Sequence, residues 1–205
     1  PRPAPPPQRM SRTIFETPVV NTLLRAASAA FLRFSGWKVE GSLPAHARKA
    51  VLIAAPHTSN WDLPYTLMVA FCLRLNIRWM GKSSLFRGPW GPLMRWLGGI
   101  AVNREKSSNV VADCAAALQR STLPLQLVVP PEGTRGRTRH WKTGFYFIAL
   151  QAQVPIILAY MDYHRKVSGL GPIFTPTGDV DRDMAQIKLF YAGVKGRRAD
   201  QFEPK

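Results

Sequence analysis

The chain has 205 residues, of which 46% are apolar, 10% aromatic and 20% charged. That length and apolar content suit one globular domain with a substantial core; they exclude collagen, coiled coil and wholesale disorder. No run of ~18 uncharged apolar residues is present, which argues against an integral membrane bundle. Lys and Arg number 28 against 12 Asp and Glu, a net charge of +16. Such a balance favours anionic partners: nucleic acid, an anionic membrane surface, or an acidic protein or ligand. No CxxC or His/Cys cluster is present, so Cys72 and Cys114, both in apolar helix-like stretches, read as small buried hydrophobes rather than a disulfide or a metal site.

Residues 1–12 carry five prolines and three arginines. Together with residues 13–17 they are expected to form a disordered basic arm. Residues 18–37 read as an amphipathic helix. Pro18 suits a helix start, and Val20, Leu23, Leu24, Ala27, Phe31 and Phe34 recur at three- and four-residue spacing. Arg25 and Arg33 interrupt any membrane span. The helix either lies at a lipid interface or packs on the core.

From there strands and helices alternate. Strands are expected at 51–55, 77–80, 100–102, 125–129 and 155–160. Helices are expected at 63–75, 89–97, 107–120, 143–151 and 184–192. This alternation implies an α/β fold. Residues 168–179, rich in Gly and Pro, read as a loop. Residues 195–205 read as a loose basic tail. No secretory signal is evident in the chain, which begins at Pro1, and the default compartment is the cytoplasm.

Four segments carry chemistry. Pro56-His57-Thr58-Ser59-Asn60-Trp61-Asp62 follows a strand, where α/β sheets collect ligands. A His there suits general-base work, with a carboxylate to fix its tautomer. On one continuous helix the side chains of His57 and Asp62 would diverge by about 140°. They meet only if His57 lies in the turn and Asp62 at the helix start. The alternative is that Ser59 or Asp62 caps the helix. Pro130-Pro131-Glu132-Gly133-Thr134-Arg135 follows another strand. Its Gly, Thr and Arg suit an oxyanion, and the alternative is a turn with an exposed ion pair. The remaining two are Gly98-Gly99-Ile100-Ala101-Val102-Asn103-Arg104 and Gly81-Lys82-Ser83. The latter is no nucleotide-hydrolysing P-loop, because Asn76 stands where that motif needs its first Gly.

Taken in chain order, with Val154-Pro155-Ile156 after them, these blocks resemble the glycerophospholipid acyltransferase family, which includes the lysophosphatidic acid acyltransferases. The resemblance spans roughly residues 20–160, and DYHRKVSGLGPIFTPTGD looks like the ending of a compact bacterial branch. It implies a mixed sheet flanked by helices, with the amphipathic helix at the N-terminus and an acyltransferase domain over 38–194. It implies that His57 is the general base and Asp62 its partner, acting on an acceptor hydroxyl that attacks an acyl thioester. It implies that Glu132, Gly133, Thr134 and Arg135 hold the acceptor's phosphate, with Arg104 and Lys82 as further cations. No metal or other cofactor is expected. The donor is an acyl-coenzyme A or acyl carrier protein thioester, taken as substrate, and backbone N–H groups near the following helix are candidate oxyanion donors.

The expected partners are a membrane lipid surface and one of those carriers, with no specific nucleic acid. The expected place is the cytoplasmic face of the membrane, peripherally bound. Leu85–Phe86 and 90–96 either line an acyl groove or belong to the core. Two positions depart from the family: Pro56 stands where Asn is common, and the last block reads Val154-Pro155-Ile156-Ile157-Leu158. Both leave the acceptor open to another lysolipid or an amphipathic alcohol. The competing readings are a non-catalytic lipid-binding relative and a basic nucleic-acid-binding protein.

Overall fold

A computed structural model describes residues 12–102, 110–138 and 140–202. Seven strands form one sheet: β1 (Lys38–Glu40), β2 (Lys49–Ala55), β3 (Ile77–Lys82), β4 (Gly99–Val102), β5 (Leu125–Val129), β6 (Ile156–Asp162) and β7 (Val167–Phe174). Six α-helices accompany them: α1 (Pro18–Phe34), α2 (Asp62–Cys72), α3 (Gly91–Trp96), α4 (Val110–Arg120), α5 (Gly144–Ala152) and α6 (Val180–Tyr191).

The strand order is β1-β7-β6-β2-β5-β3-β4. Every neighbouring pair is parallel except β6 and β7, so the sheet is mixed. The central strand β2 is apolar along its length because both of its faces are covered. Val51, Ile53 and Ala55 pack with Leu127, Phe145, Ile148 and Ile187 under α4, α5 and α6. Leu52 alternates to the opposite face and joins Ala70, Ile77, Trp79, Phe86 and Val128 beneath α2. Outside that layer α1 packs on α2, with Leu32, Trp37, Val69 and Met161 forming a third apolar cluster.

Helix boundaries follow local chemistry. α6 begins earlier than periodicity suggests, because the Asp179 carboxylate accepts the Arg182 amide at 3.1 Å and caps it. α2 stops at Cys72, and Arg74 just beyond it takes a left-handed φ of 56°.

Three expectations are corrected. The stretch 168–179 is not a loop over its first half: β7 runs to Phe174. Gly169 belongs there for a packing reason, since a Cβ at this position would sit 2.0 Å from the Glu40 carbonyl oxygen of β1. The end of the expected arm is ordered, with Thr13 and Ile14 buried and a 3-10 turn over Ile14–Glu16. Glu16 holds it down, accepting Asn76 Nδ2 at 3.0 Å and lying 3.7 Å from the buried Arg78 guanidinium. Residues 195–202 are also seated rather than loose. The Tyr163 amide donates to the Lys195 carbonyl at 2.9 Å, and Phe202 packs toward Trp141.

Substituting Gly169→Ala should force β1 away from β7 and cost about 1–3 kcal/mol, as overpacking does. Urea unfolding of the two proteins, compared at equal slope, measures this directly.

Candidate active site

Three parallel neighbours set the site. β2, β5 and β3 lie side by side and point the same way, so their carboxyl ends fall on one edge of the sheet. His57 follows β2, Glu132 follows β5, and Lys82 ends β3. Blocks separated by 75 residues thereby come within one hydrogen bond: the His57 amide donates to Glu132 Oε1 at 2.9 Å.

α2 begins at Asp62, and His57 lies in the turn before it. This is the arrangement in which the two side chains can meet. His57 Nδ1 is 3.1 Å from Asp62 Oδ2. The same Oδ2 accepts the amides of Thr58 and Ser59, each at 2.9 Å. The Tyr163 hydroxyl donates to Asp62 Oδ1 at 2.8 Å. Asp62 is thus a buried carboxylate with both oxygens satisfied, and it takes no part as an ordinary helix cap. With Nδ1–H directed at Asp62, Nε2 is the basic nitrogen left to His57, a tautomer assigned from these contacts. Burial raises the Tyr163 phenol well above its usual range, and Asp62 adds to the effect. It remains a donor.

Glu132 is the unusual group. It is buried, and its Oε2 has no hydrogen-bond partner among the described residues. Burial pushes the carboxyl up to about 7, against the lowering effect of the His57 amide. Glu132 bonds to the turn that carries His57, whereas Arg135 is exposed.

A cavity of about 470 Å³ opens beside His57. Its interior is apolar, walled by Leu52, Val69, Ile77, Trp79, Val128 and Leu170 from the sheet and α2. Lys82, Gly133, Thr134 and Arg135 also line it, which gives one cavity an apolar body and cationic walls. The size is that of a small-molecule site, about 300–1,000 Å³. Leu85 lines it as well, whereas Phe86 is buried in the core and Trp90 is exposed outside it.

An acyltransferase family model matches residues 36–161. The chain belongs to the acyltransferase family. It is 31% identical over 157 residues to 1-acyl-sn-glycerol-3-phosphate acyltransferase beta of Homo sapiens, a match covering 71% of this chain and 52% of that protein. The chain therefore spans about half the length of this curated relative. Its fold is similar to the crystal structure of the 1-acyl-sn-glycerophosphate acyltransferase PlsC from Thermotoga maritima, with a TM-score of 0.61 at 17% identity over 83% of this chain and 78% of that one.

In this chain the residues singled out in the sequence divide into three groups. His57, Asp62, Lys82, Gly133, Thr134 and Arg135 line one cavity. Glu132 is not among the lining residues and accepts the His57 amide. Arg104 lies outside the described residues. Sequence reasoning missed Tyr163. The available signal was its position directly after β6, the other parallel neighbour of β2. Two of the expected oxyanion donors are already committed, since the Thr58 and Ser59 amides both serve Asp62. Among the described residues no three His, Cys, Asp or Glu side chains are grouped to hold a metal ion.

The raised Glu132 has a sign that can be measured. Its native form holds a proton that the unfolded chain releases near 4.5, so ionisation between 4.5 and about 7 opposes folding. Wild-type stability should fall relative to Glu132→Gln by on the order of 3 kcal/mol as pH rises from about 4 to about 8. Denaturant unfolding across that range tests it. Parallel curves for the two proteins would mean that Glu132 ionises normally.

Proposed function

We propose that this acyltransferase moves a fatty acyl group from a thioester of coenzyme A or acyl carrier protein to a hydroxyl of a lysophospholipid-like acceptor. The observation that carries the reading is the junction of a His-Asp pair with an apolar cavity whose walls carry Lys82 and Arg135. An acyl chain needs the apolar body. A phosphorylated headgroup needs the cations. The likeness to a 1-acyl-sn-glycerol-3-phosphate acyltransferase supports this choice of acceptor.

In the proposed step His57 Nε2 takes the proton of the acceptor hydroxyl as its oxygen attacks the thioester carbon. Asp62 stabilises the resulting imidazolium, and Thr58, Ser59 and Tyr163 keep that carboxylate fixed. The C–S bond breaks as the tetrahedral intermediate collapses, and the thiolate takes the proton from His57. The Asn60 amide, which has no partner among the described residues, is the loop's remaining oxyanion donor, and Asn60 lines the cavity. The reaction as written uses side chains of the protein and the donor's own thioester, with no further cofactor.

Membrane association belongs to the same proposal. No helix among the described residues is long and apolar enough to cross a membrane. On α1, however, Val19, Leu23, Ala27, Phe31 and Phe34 are exposed along one face. Phe34 is 88% exposed. An apolar face on a chain of net charge +16 suits an anionic lipid surface, with the helix lying in the headgroup region. Such a surface is where a lysolipid acceptor resides, on the cytoplasmic side under this reading.

Two measurements test the proposal. Thiol release from acyl-coenzyme A and acyl carrier protein donors, followed with a panel of lysolipids, should depend on acceptor and disappear in a folded His57→Ala protein. Arg135→Ala should mainly raise the acceptor KM. Full activity in His57→Ala would remove the base from the mechanism. Separately, Leu23→Glu/Phe34→Glu should reduce sedimentation with anionic vesicles by about tenfold or more, because it places two carboxylates on the lipid-facing side. Unchanged sedimentation would exclude α1 as the contact.

A further inference from the structure

A second recess, of about 450 Å³, is lined by residues 58–61 and adjoins the apolar cavity, with which it shares Ser59, Asn60 and Arg135. Its charged lining is Arg135, Arg197 and Arg198, and among the described residues no Asp or Glu lines it. Arg197 and Arg198 come from beyond residue 161, outside the segment that matches the family. They belong to the tail that composition alone marks as loose.

The tail is built into the site. The Tyr163 amide donates to the Lys195 carbonyl at 2.9 Å, and the hydroxyl of the same Tyr163 serves Asp62. Position 196 lies so close to the catalytic turn that a Cβ there would meet Thr58 Oγ1 at 2.6 Å, which only glycine avoids. The Arg198 amide donates to Thr58 Oγ1 at 3.2 Å, and the Arg137 amide to Gln201 Oε1 at 2.9 Å. Arg197 Cζ stands 5.3 Å from the centroid of the Trp61 ring. Stacking of this kind fixes the plane of a guanidinium and leaves its N–H edge free to donate.

Three guanidiniums around one recess repel one another and call for an anion of more than one charge. We propose that this recess is a subsite for a phosphate ester carried by one of the two substrates. Arg135 lines both the recess and the apolar cavity, so it links the bound phosphate to the reacting end. The assignment of the ester to a substrate rests on the acyl-transfer reading; anion binding itself does not.

Titration calorimetry of the full chain with coenzyme A and, separately, with glycerol 3-phosphate tests the subsite without any turnover. The comparison is between wild type, Arg197→Ala/Arg198→Ala, and the charge-matched control Arg120→Ala/Arg182→Ala. All four substituted side chains are exposed, and the Arg198 amide that bonds Thr58 survives substitution. At least one probe should bind about tenfold more weakly to the first variant, as for loss of one charged hydrogen bond, and the control should match wild type. Loss confined to coenzyme A places the donor's phosphates in the recess; loss confined to glycerol 3-phosphate places the acceptor's. Equal binding to all three proteins, equal losses in both variants, or no binding of either probe to wild type would each overturn the subsite. His57-dependent acyl transfer with unaltered probe binding would keep the reaction and remove the subsite. Weakened probe binding in a protein that transfers no acyl group would do the reverse.

Discussion

The Asp62 carboxylate organises the region around His57. Its two oxygens receive the Thr58 and Ser59 amides and the Tyr163 hydroxyl, and one of them lies beside His57 Nδ1. Each contact serves a different structural need. The amides fold the turn after β2, the phenol ties β6 to α2, and the imidazole is held in one orientation. A buried carboxylate is costly unless it is paired and hydrogen-bonded. Here the groups that satisfy it are also those that need placing, so stability and alignment come from the same contacts. Glu132 contributes by accepting the His57 amide, and its burial raises its own carboxyl pKa.

Parallel pairing around β2 does the larger-scale work. A parallel sheet points all its strand ends one way, so distant blocks collect on one edge without touching in sequence. This is how the HTSNWD turn, the PEGTR loop and Lys82 share a neighbourhood. The basic character of the chain then has local meaning. Lys82 and Arg135 line the apolar cavity, and Arg135, Arg197 and Arg198 line the recess beside it.

Much of this organisation was legible in the residues. The VLIAA and LQLVV runs are strands because both of their faces are buried, and their apolar continuity says so. The H-x4-D spacing constrained the geometry, since the pair can meet only across a turn and a helix start. What was hidden depends on tertiary partners. Gly169 and its neighbours read as a loop, because the reason for glycine there is a carbonyl on β1. Thr13 and Ile14 read as part of an arm, because Asn76 and Arg78, which hold Glu16, lie some sixty residues away. Tyr163 and Arg197 carry no motif of their own. Their role comes from where β6 ends and where the tail is seated, and local pattern encodes neither.

The aromatic cluster between α1 and the site has a consequence for how the chain can be divided. Phe31 of α1 approaches the Tyr65 ring at 6.3 Å, Trp37 stacks on Tyr65 at 4.7 Å, and both Trp37 and Tyr65 meet the ring of Tyr163 edge-on. Tyr163 is the residue that reaches Asp62. The first helix is therefore not separable from the rest of the domain. Trimming the chain before Trp37 would strip one wall from the packing that holds a phenol against the Asp62 carboxylate. The exposed apolar face of α1 and the carboxylate beside His57 are joined through a single cluster of rings, so the two form one piece.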